Sequence, residues 1–104
     1  MDDLTAKFLP QFLQLARVRM DQARTAAADR GPVATGTAKD GMHTLAGEAG
    51  LLGFHDVVPL ARDCELKVKT LQASLADADA ELLVAALGEL ERVIERIGAT
   101  HTSR

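Results

Sequence analysis

The chain has 104 residues, of which 47% are apolar and 26% charged, and its formal net charge is −3. These values fit one compact domain of ordinary soluble character, and the absence of a basic stripe argues against nucleic-acid binding. No apolar stretch reaches the roughly 18 residues of a membrane span, and the start Met1-Asp2-Asp3-Leu4 lacks the basic residues of a signal peptide. We therefore expect a cytoplasmic protein that does not bind membranes.

The apolar residues are mainly Leu, Ala, Val and Ile, with three Phe as the only aromatic residues. This composition favours helices over a β-sandwich. Cys64 is the single cysteine and lies within an apolar helical pattern, so we expect it to be buried. His43, His55 and Cys64 do not have the spacing of a zinc site, and no P-loop or G-x-G-x-x-G motif is present. The sequence predicts no metal site and no cofactor.

The first apolar pattern recurs at helical spacing and predicts a helix of about six turns, with Pro10 at its start or at a kink. The members of this pattern are Leu9, Leu13, Ala16, Met20, Ala23 and Ala27. The segment from Asp29 to Gly36 is rich in helix breakers and is predicted to be a loop. Thr37 followed by Asp40 resembles a capping box, which would begin a second helix that ends near Leu52.

Gly53 suits a helix C-cap, after which apolar residues at four- and three-residue intervals predict a third helix from about Phe54 to Leu75. Asp77 and Asp79 are N-cap candidates for a fourth helix that would end at Gly98. Short connections between helices of similar length favour an all-α, antiparallel up-down four-helix bundle. We expect one domain over residues 1–98 and a flexible tail over 99–104.

His43 is predicted to point outward from a surface with little side-chain bulk. On a helical projection it shares a face with Ala46, Gly47 and Gly50, and Lys39 lies one turn earlier on the same side. A glycine within a helix costs about 1 kcal/mol relative to alanine, so stability alone does not favour this face. Close helix packing at the glycines is an alternative explanation.

Glu65 is the predicted partner of this histidine. It lies on one flank of the third helix, and if that flank adjoins His43, its carboxylate would accept a hydrogen bond from one ring N–H. The other ring nitrogen would then keep its lone pair and act as a nucleophile. Glu65 and Lys69 are also an ordinary i, i+4 ion pair, which by itself requires no function.

The run His43-Thr44-Leu45-Ala46-Gly47, with Gly50 and Gly53-Phe54 after it, resembles the H-x-L-K-G…G-F signature of histidine phosphotransfer (HPt) domains. The match extends without gaps to Glu65 and is similar in particular to the phosphotransfer domain of chemotaxis kinases. The resemblance implies that His43 is the phosphoacceptor, that Glu65 orients its imidazole, and that Ala46, Gly47 and Gly50 form the receiver docking surface.

One position departs from the signature, because the usual lysine three residues after the histidine is Ala46 in this chain. A cation displaced to another position would take over its role of stabilising the phosphoryl group. Lys39 and Lys69 are the candidates for that role, and Arg62 on the third helix is a further one.

The resemblance implies a phosphohistidine carrier in a multistep two-component phosphorelay, which exchanges the phosphoryl group with receiver-domain aspartates. The expected partners are a response-regulator receiver domain, which would supply Mg²⁺ and the aspartate, and a sensor or hybrid histidine kinase. Without a nucleotide motif, the chain is not expected to be an enzyme with autokinase activity. The alternative is a phosphate-silent helical adaptor that binds receiver or kinase domains. We expect a monomer, although apolar helix stripes also serve dimers.

Overall fold

Four α-helices account for nearly all of the computed structural model, which describes residues 3–102. They are α1 (Asp3–Asp29), α2 (Pro32–Leu52), α3 (Val57–Ser74) and α4 (Asp77–Thr102). Each helix packs against the next one in the chain, and α4 closes the bundle against α1. The described part of the molecule measures 43 × 19 × 19 Å. The predicted all-α, up-down four-helix bundle is confirmed.

The connection between α1 and α2 is shorter than predicted, because it consists of Arg30 and Gly31 alone. Pro32 is the first residue of α2, where its fixed φ suits a helix and its missing N–H costs no hydrogen bond. Gly31 is the N-cap and has an extended backbone. The predicted loop up to Gly36 and the capping box at Thr37 are therefore wrong, since a proline that suggested a loop begins the helix.

The turn between α2 and α3 agrees with the prediction at Gly53, which caps α2 with a left-handed φ of 83°. Its backbone N–H donates to the carbonyl groups of Ala49 and Gly50. The N–H of Phe54 donates to the carbonyl of Ala49 over 2.8 Å. Because these bonds hold Phe54 in the turn, α3 begins at Val57 and not at Phe54 as predicted.

Two predicted helix boundaries do not occur. Pro10 lies inside α1, which is continuous from Asp3. Gly98 does not end α4, which continues to Thr102. A Cβ built at Gly98 would lie 3.6 Å from Leu13, and the His101 ring lies 6.3 Å from the Phe54 ring, so this end of α4 packs on the bundle. The predicted tail is thus helical up to residue 102, and its last two residues lie outside the described part of the chain.

The core is built from small and medium-sized apolar side chains, as the composition predicted. Its largest fully buried members are Met42, Leu45, Leu71, Leu83, Leu87 and Leu90. Cys64 is fully buried among them, and burial, with a smaller contribution from the neighbouring Asp63 carboxylate, raises its pKa from 9.0 to about 12. The thiol therefore stays protonated at neutral pH and fills space in the core.

This burial predicts slow alkylation of Cys64. At pH 8 we expect iodoacetamide to modify the native protein at least about a hundredfold more slowly than the urea-unfolded chain, because the thiolate is the nucleophile. Since the pKa of the folded state is the higher one, the thiol's contribution to stability is complete below pH 9 and is lost as the pH rises toward 12. Intact-mass kinetics measure the modification, and equal rates in the two states would contradict the burial.

Candidate functional site

His43 lies on the outer face of α2, and 77% of its side chain is exposed. Glu65 lies opposite it on α3, and only 16% of this side chain is exposed. The prediction that the Glu65 flank of α3 adjoins the His43 helix therefore agrees with the structure. The exposed ring is held at one edge by a largely shielded carboxylate.

The Nδ1 atom of His43 faces the Glu65 carboxylate, at 3.4 Å from Oε1 and 3.3 Å from Oε2. With its proton on Nδ1, the ring donates a hydrogen bond to this carboxylate, and the lone pair is then on Nε2. Nε2 is at the opposite edge of the exposed ring. In this tautomer, the nitrogen with the free lone pair faces the solvent on the outer side of α2.

Lys69 shares the same carboxylate, because its Nζ lies 3.7 Å from Oε2 of Glu65. This is the i, i+4 ion pair that the sequence suggested, and 54% of the lysine side chain is exposed. The ion pair and the histidine contact therefore occur together. Glu65 connects a cationic side chain on its own helix to the imidazole on α2.

The two glycines near His43 are not required by packing within the bundle. A Cβ built at Gly47 would meet no atom within 4 Å, and one at Gly50 would lie 3.8 Å from Val58, an ordinary van der Waals contact. Both glycines are exposed. Close helix packing, the alternative explanation from the sequence, is thus not supported at either position, and the bare surface beside His43 is open to the outside.

Ala46 is not part of this open surface. Only 4% of it is exposed, and it belongs to the buried core cluster. Its direction on α2 differs from that of His43 by only about 60°, but on the side nearer the core stripe of Met42, Leu45 and Ala49. Ala46 therefore contributes almost no exposed area, and of the predicted docking residues only Gly47 and Gly50 are exposed.

The remaining candidate cations lie on both sides of the site. Lys39 is half-buried on α2 and Arg62 is exposed on α3. Neither of them forms an ion pair in the part of the chain that the structure describes. Lys69 differs from both, because it pairs with Glu65.

One contact that sequence reasoning missed holds α2 against α1. Glu48 of α2 forms an ion pair with Arg19 of α1. A Cβ built at Gly41 would also lie 3.4 Å from the Arg19 side chain. The spacing of seven residues between Gly41 and Glu48 is the signal that could have indicated a second helix contact on this side. This side of α2 therefore lies against α1, whereas His43 faces α3.

Within residues 3–102, no group of three or more His, Cys, Asp or Glu side chains is arranged to hold a metal ion. None of the helices described combines the length and the apolar character needed to cross a membrane.

Comparison with known proteins gave a match to a family model. The family model described as the Hpt domain matches residues 7–100, which include all four helices and both His43 and Glu65. No curated protein and no solved structure matches the chain at the significance required.

Proposed function

The chain belongs to the Hpt domain family, and on this premise we propose that His43 carries a phosphoryl group between partners of a two-component phosphorelay. Family membership indicates a phosphotransfer role in such a relay. The observation that supports the choice of residue is the contact of His43 Nδ1 with Glu65, which leaves Nε2 at the exposed edge of the ring.

In the proposed transfer, the Nε2 lone pair attacks the phosphorus of an aspartyl phosphate on a receiver domain. The Nε2–P bond forms, the P–O bond to the aspartate breaks, and the aspartate leaves as a carboxylate. The proton stays on Nδ1, so the imidazole acquires a positive charge. Glu65, which already accepts from Nδ1, stabilises this charge as it develops.

In the reverse reaction, the aspartate of a receiver attacks the phosphorus and the Nε2–P bond breaks. A histidine kinase is the other proposed donor of the phosphoryl group. We assign Mg²⁺ and the acceptor aspartate to the receiver, as the resemblance implies. Positioning and charge neutralisation dominate phosphoryl transfer, so the contribution of this chain is a correctly oriented nucleophile on a rigid helix.

We propose that the receiver docks over the exposed glycines Gly47 and Gly50, next to His43. The absence of side chains at these positions lets a second protein bring its own backbone close to Nε2. Leu51, which follows on the same helix, is strongly exposed and supplies apolar contact area at the edge of this surface.

Two substitutions of Gly47 distinguish an effect on receiver docking from an effect on the stability of the fold. We expect Gly47→Ala to stabilise the fold by up to about 1 kcal/mol, because the new methyl group meets nothing and alanine favours the helix. We expect Gly47→Trp to fold but to slow transfer from a phosphorylated receiver at least about tenfold, because the indole occupies the approach to Nε2. Thermal unfolding and transfer time courses measure the two effects.

Gly88→Trp is the matched control for Gly47→Trp, since Gly88 is half-buried on α4 and a Cβ there would lie 3.7 Å from Arg92. This variant should transfer at the wild-type rate. If Gly47→Trp also transferred at that rate, the docking surface would have to lie elsewhere.

The test of the proposed function is incubation of the full chain with phosphorylated receiver domains and with histidine kinases. The expected result is a label on this chain that is labile in acid and stable in base, as a phosphorus–nitrogen bond requires. Stable complexes with receivers that never yield a label would instead support the phosphate-silent adaptor and overturn the carrier.

A further inference from the structure

An open groove runs along the side of the bundle where α1 and α4 meet. These two helices pack less closely than the other pairs of neighbouring helices, and two crevices of about 550 and 490 Å³ lie between them. The larger crevice is lined in part by the apolar side chains of Leu13, Met20 and Ile94. This side of the bundle is opposite the α2–α3 side, which carries His43 and Glu65.

The two rims of this groove differ in net charge. The rim formed by α1 and the residue after it has three basic residues and one acidic residue, which are Arg17, Arg24, Arg30 and Asp21. The α4 rim carries the acidic residues Asp77, Glu81, Glu91 and Glu95. Two ion pairs bridge the rims, from Arg24 to Glu91 and from Arg30 to Asp77. The α1 rim is thus net basic and the α4 rim net acidic.

Two contacts define the register between α1 and α4. A Cβ built at Gly98 would lie 3.6 Å from Leu13, and Arg24 pairs with Glu91. Both helices rise by about 1.5 Å per residue, in opposite directions, so residues between these contacts can be assigned to levels along the bundle.

Two pairs of opposite charges lie at matching levels between these contacts. Arg17 of α1 is level with Glu95 of α4, and one turn further along α1, Asp21 is level with Arg92. All four side chains are exposed, and none of them forms an ion pair within residues 3–102. Other exposed arginines, such as Arg62, are also unpaired there. What distinguishes these four residues is an opposite charge at the same level on the other helix.

We propose that a second copy of this chain covers the α1–α4 groove, and that a twofold axis parallel to the helices relates the two copies. This rotation keeps every residue at its level and places the net basic α1 rim of each copy on the net acidic α4 rim of the other. Arg17 then meets Glu95 of the second copy, Asp21 meets its Arg92, and each pair occurs twice. A twofold axis across the helices would instead place α1 on α1 and α4 on α4, which brings rims of like net charge together.

The proposed dimer does not depend on the proposed function. His43 lies on the opposite side of the bundle, so it stays exposed in both copies. Dimerisation would also remove water from the apolar part of the groove and from Val84, which is 49% exposed beside the smaller crevice. The proposal selects the dimer in place of the monomer that we expected from the sequence.

The test is the oligomeric state of the full chain, measured by sedimentation equilibrium over a range of concentrations. The expected result is a reversible dimer of the 11.1 kDa chain. Arg17→Glu and Glu95→Arg should each raise the dissociation constant at least about tenfold, because each converts two attractive contacts into repulsive ones. An equimolar mixture of the two variants should recover the wild-type affinity, since positions 17 and 95 then have opposite charges in both contacts of the mixed dimer.

Arg62→Glu is the matched control, because Arg62 is an exposed and unpaired arginine on α3, outside the α1–α4 side. This variant should dimerise like the wild type. A wild-type chain that stays monomeric at every concentration would overturn the proposal, as would a dimer whose dissociation constant neither variant changes. If Asp21→Arg restored dimerisation of Arg17→Glu and Glu95→Arg did not, the twofold axis would run across the helices and the proposed arrangement would be wrong.

Discussion

Replacement of His43 by glutamine is expected to abolish phosphorylation of the chain. A glutamine side chain is of similar length and polarity, but its amide nitrogen has no available lone pair and cannot attack phosphorus. The fold should not change, because 77% of the His43 side chain is exposed and it makes no core contact. We expect no label above background with any phosphorylated receiver, kinase or phosphoramidate, while circular dichroism and thermal unfolding match the wild type.

The other two histidines provide the controls for this variant. His55 is exposed within the α2–α3 turn, and His101 is exposed near the end of α4, with its ring 6.3 Å from that of Phe54. Neither has a carboxylate contact of the kind that His43 makes in the described structure. His55→Gln and His101→Gln should be labelled like the wild type. Loss of the label in either of them, or its persistence in His43→Gln, would assign the phosphoacceptor to a different residue.

The spacing of the apolar residues predicted the bundle, because it shows which side of each helix is buried. This inference does not require knowledge of the helix that packs there. The ends of the helices were harder to predict, since a proline can either begin or end a helix, and a glycine can either cap a helix or lie within it. Pro32 begins α2 although a proline often ends a helix, and Gly98 lies inside α4, where the side chain of Leu13 is close to it. Such contacts come from distant parts of the chain.

Contacts between helices also limited the prediction of the candidate site. A helical projection correctly separated His43 from the core stripe, but it placed Ala46 on the exposed face together with His43. That residue is only 4% exposed in the bundle, and a projection of a single helix contains no information about the neighbouring helices that cover it. The contact between His43 and Glu65 was predicted only on the condition that the two helices adjoin.

Substitution of Glu65 is the second variant with a large expected effect, because this carboxylate has two separable roles. It fixes the proton on Nδ1, and it stabilises the positive charge that the ring gains when Nε2 is phosphorylated. Glu65→Ala removes both and is expected to slow phosphoryl transfer about 10- to 100-fold, by analogy with the loss of a carboxylate that orients a metal-binding imidazole. Glu65→Gln keeps an acceptor oxygen for Nδ1–H but has no charge, so its rate should lie between those of the wild type and Glu65→Ala.

The ordering of these rates decides which role matters more. A rate for Glu65→Gln close to the wild type would mean that orientation of the ring is sufficient, whereas a rate close to Glu65→Ala would mean that the charge dominates. Asp63→Asn is the matched control, because Asp63 is on the same helix and pairs with Lys67 away from His43. If Asp63→Asn slowed transfer as much as Glu65→Ala, the effect would come from altered packing of α3. The contact of Glu65 with Nδ1 would then have no special part in the chemistry.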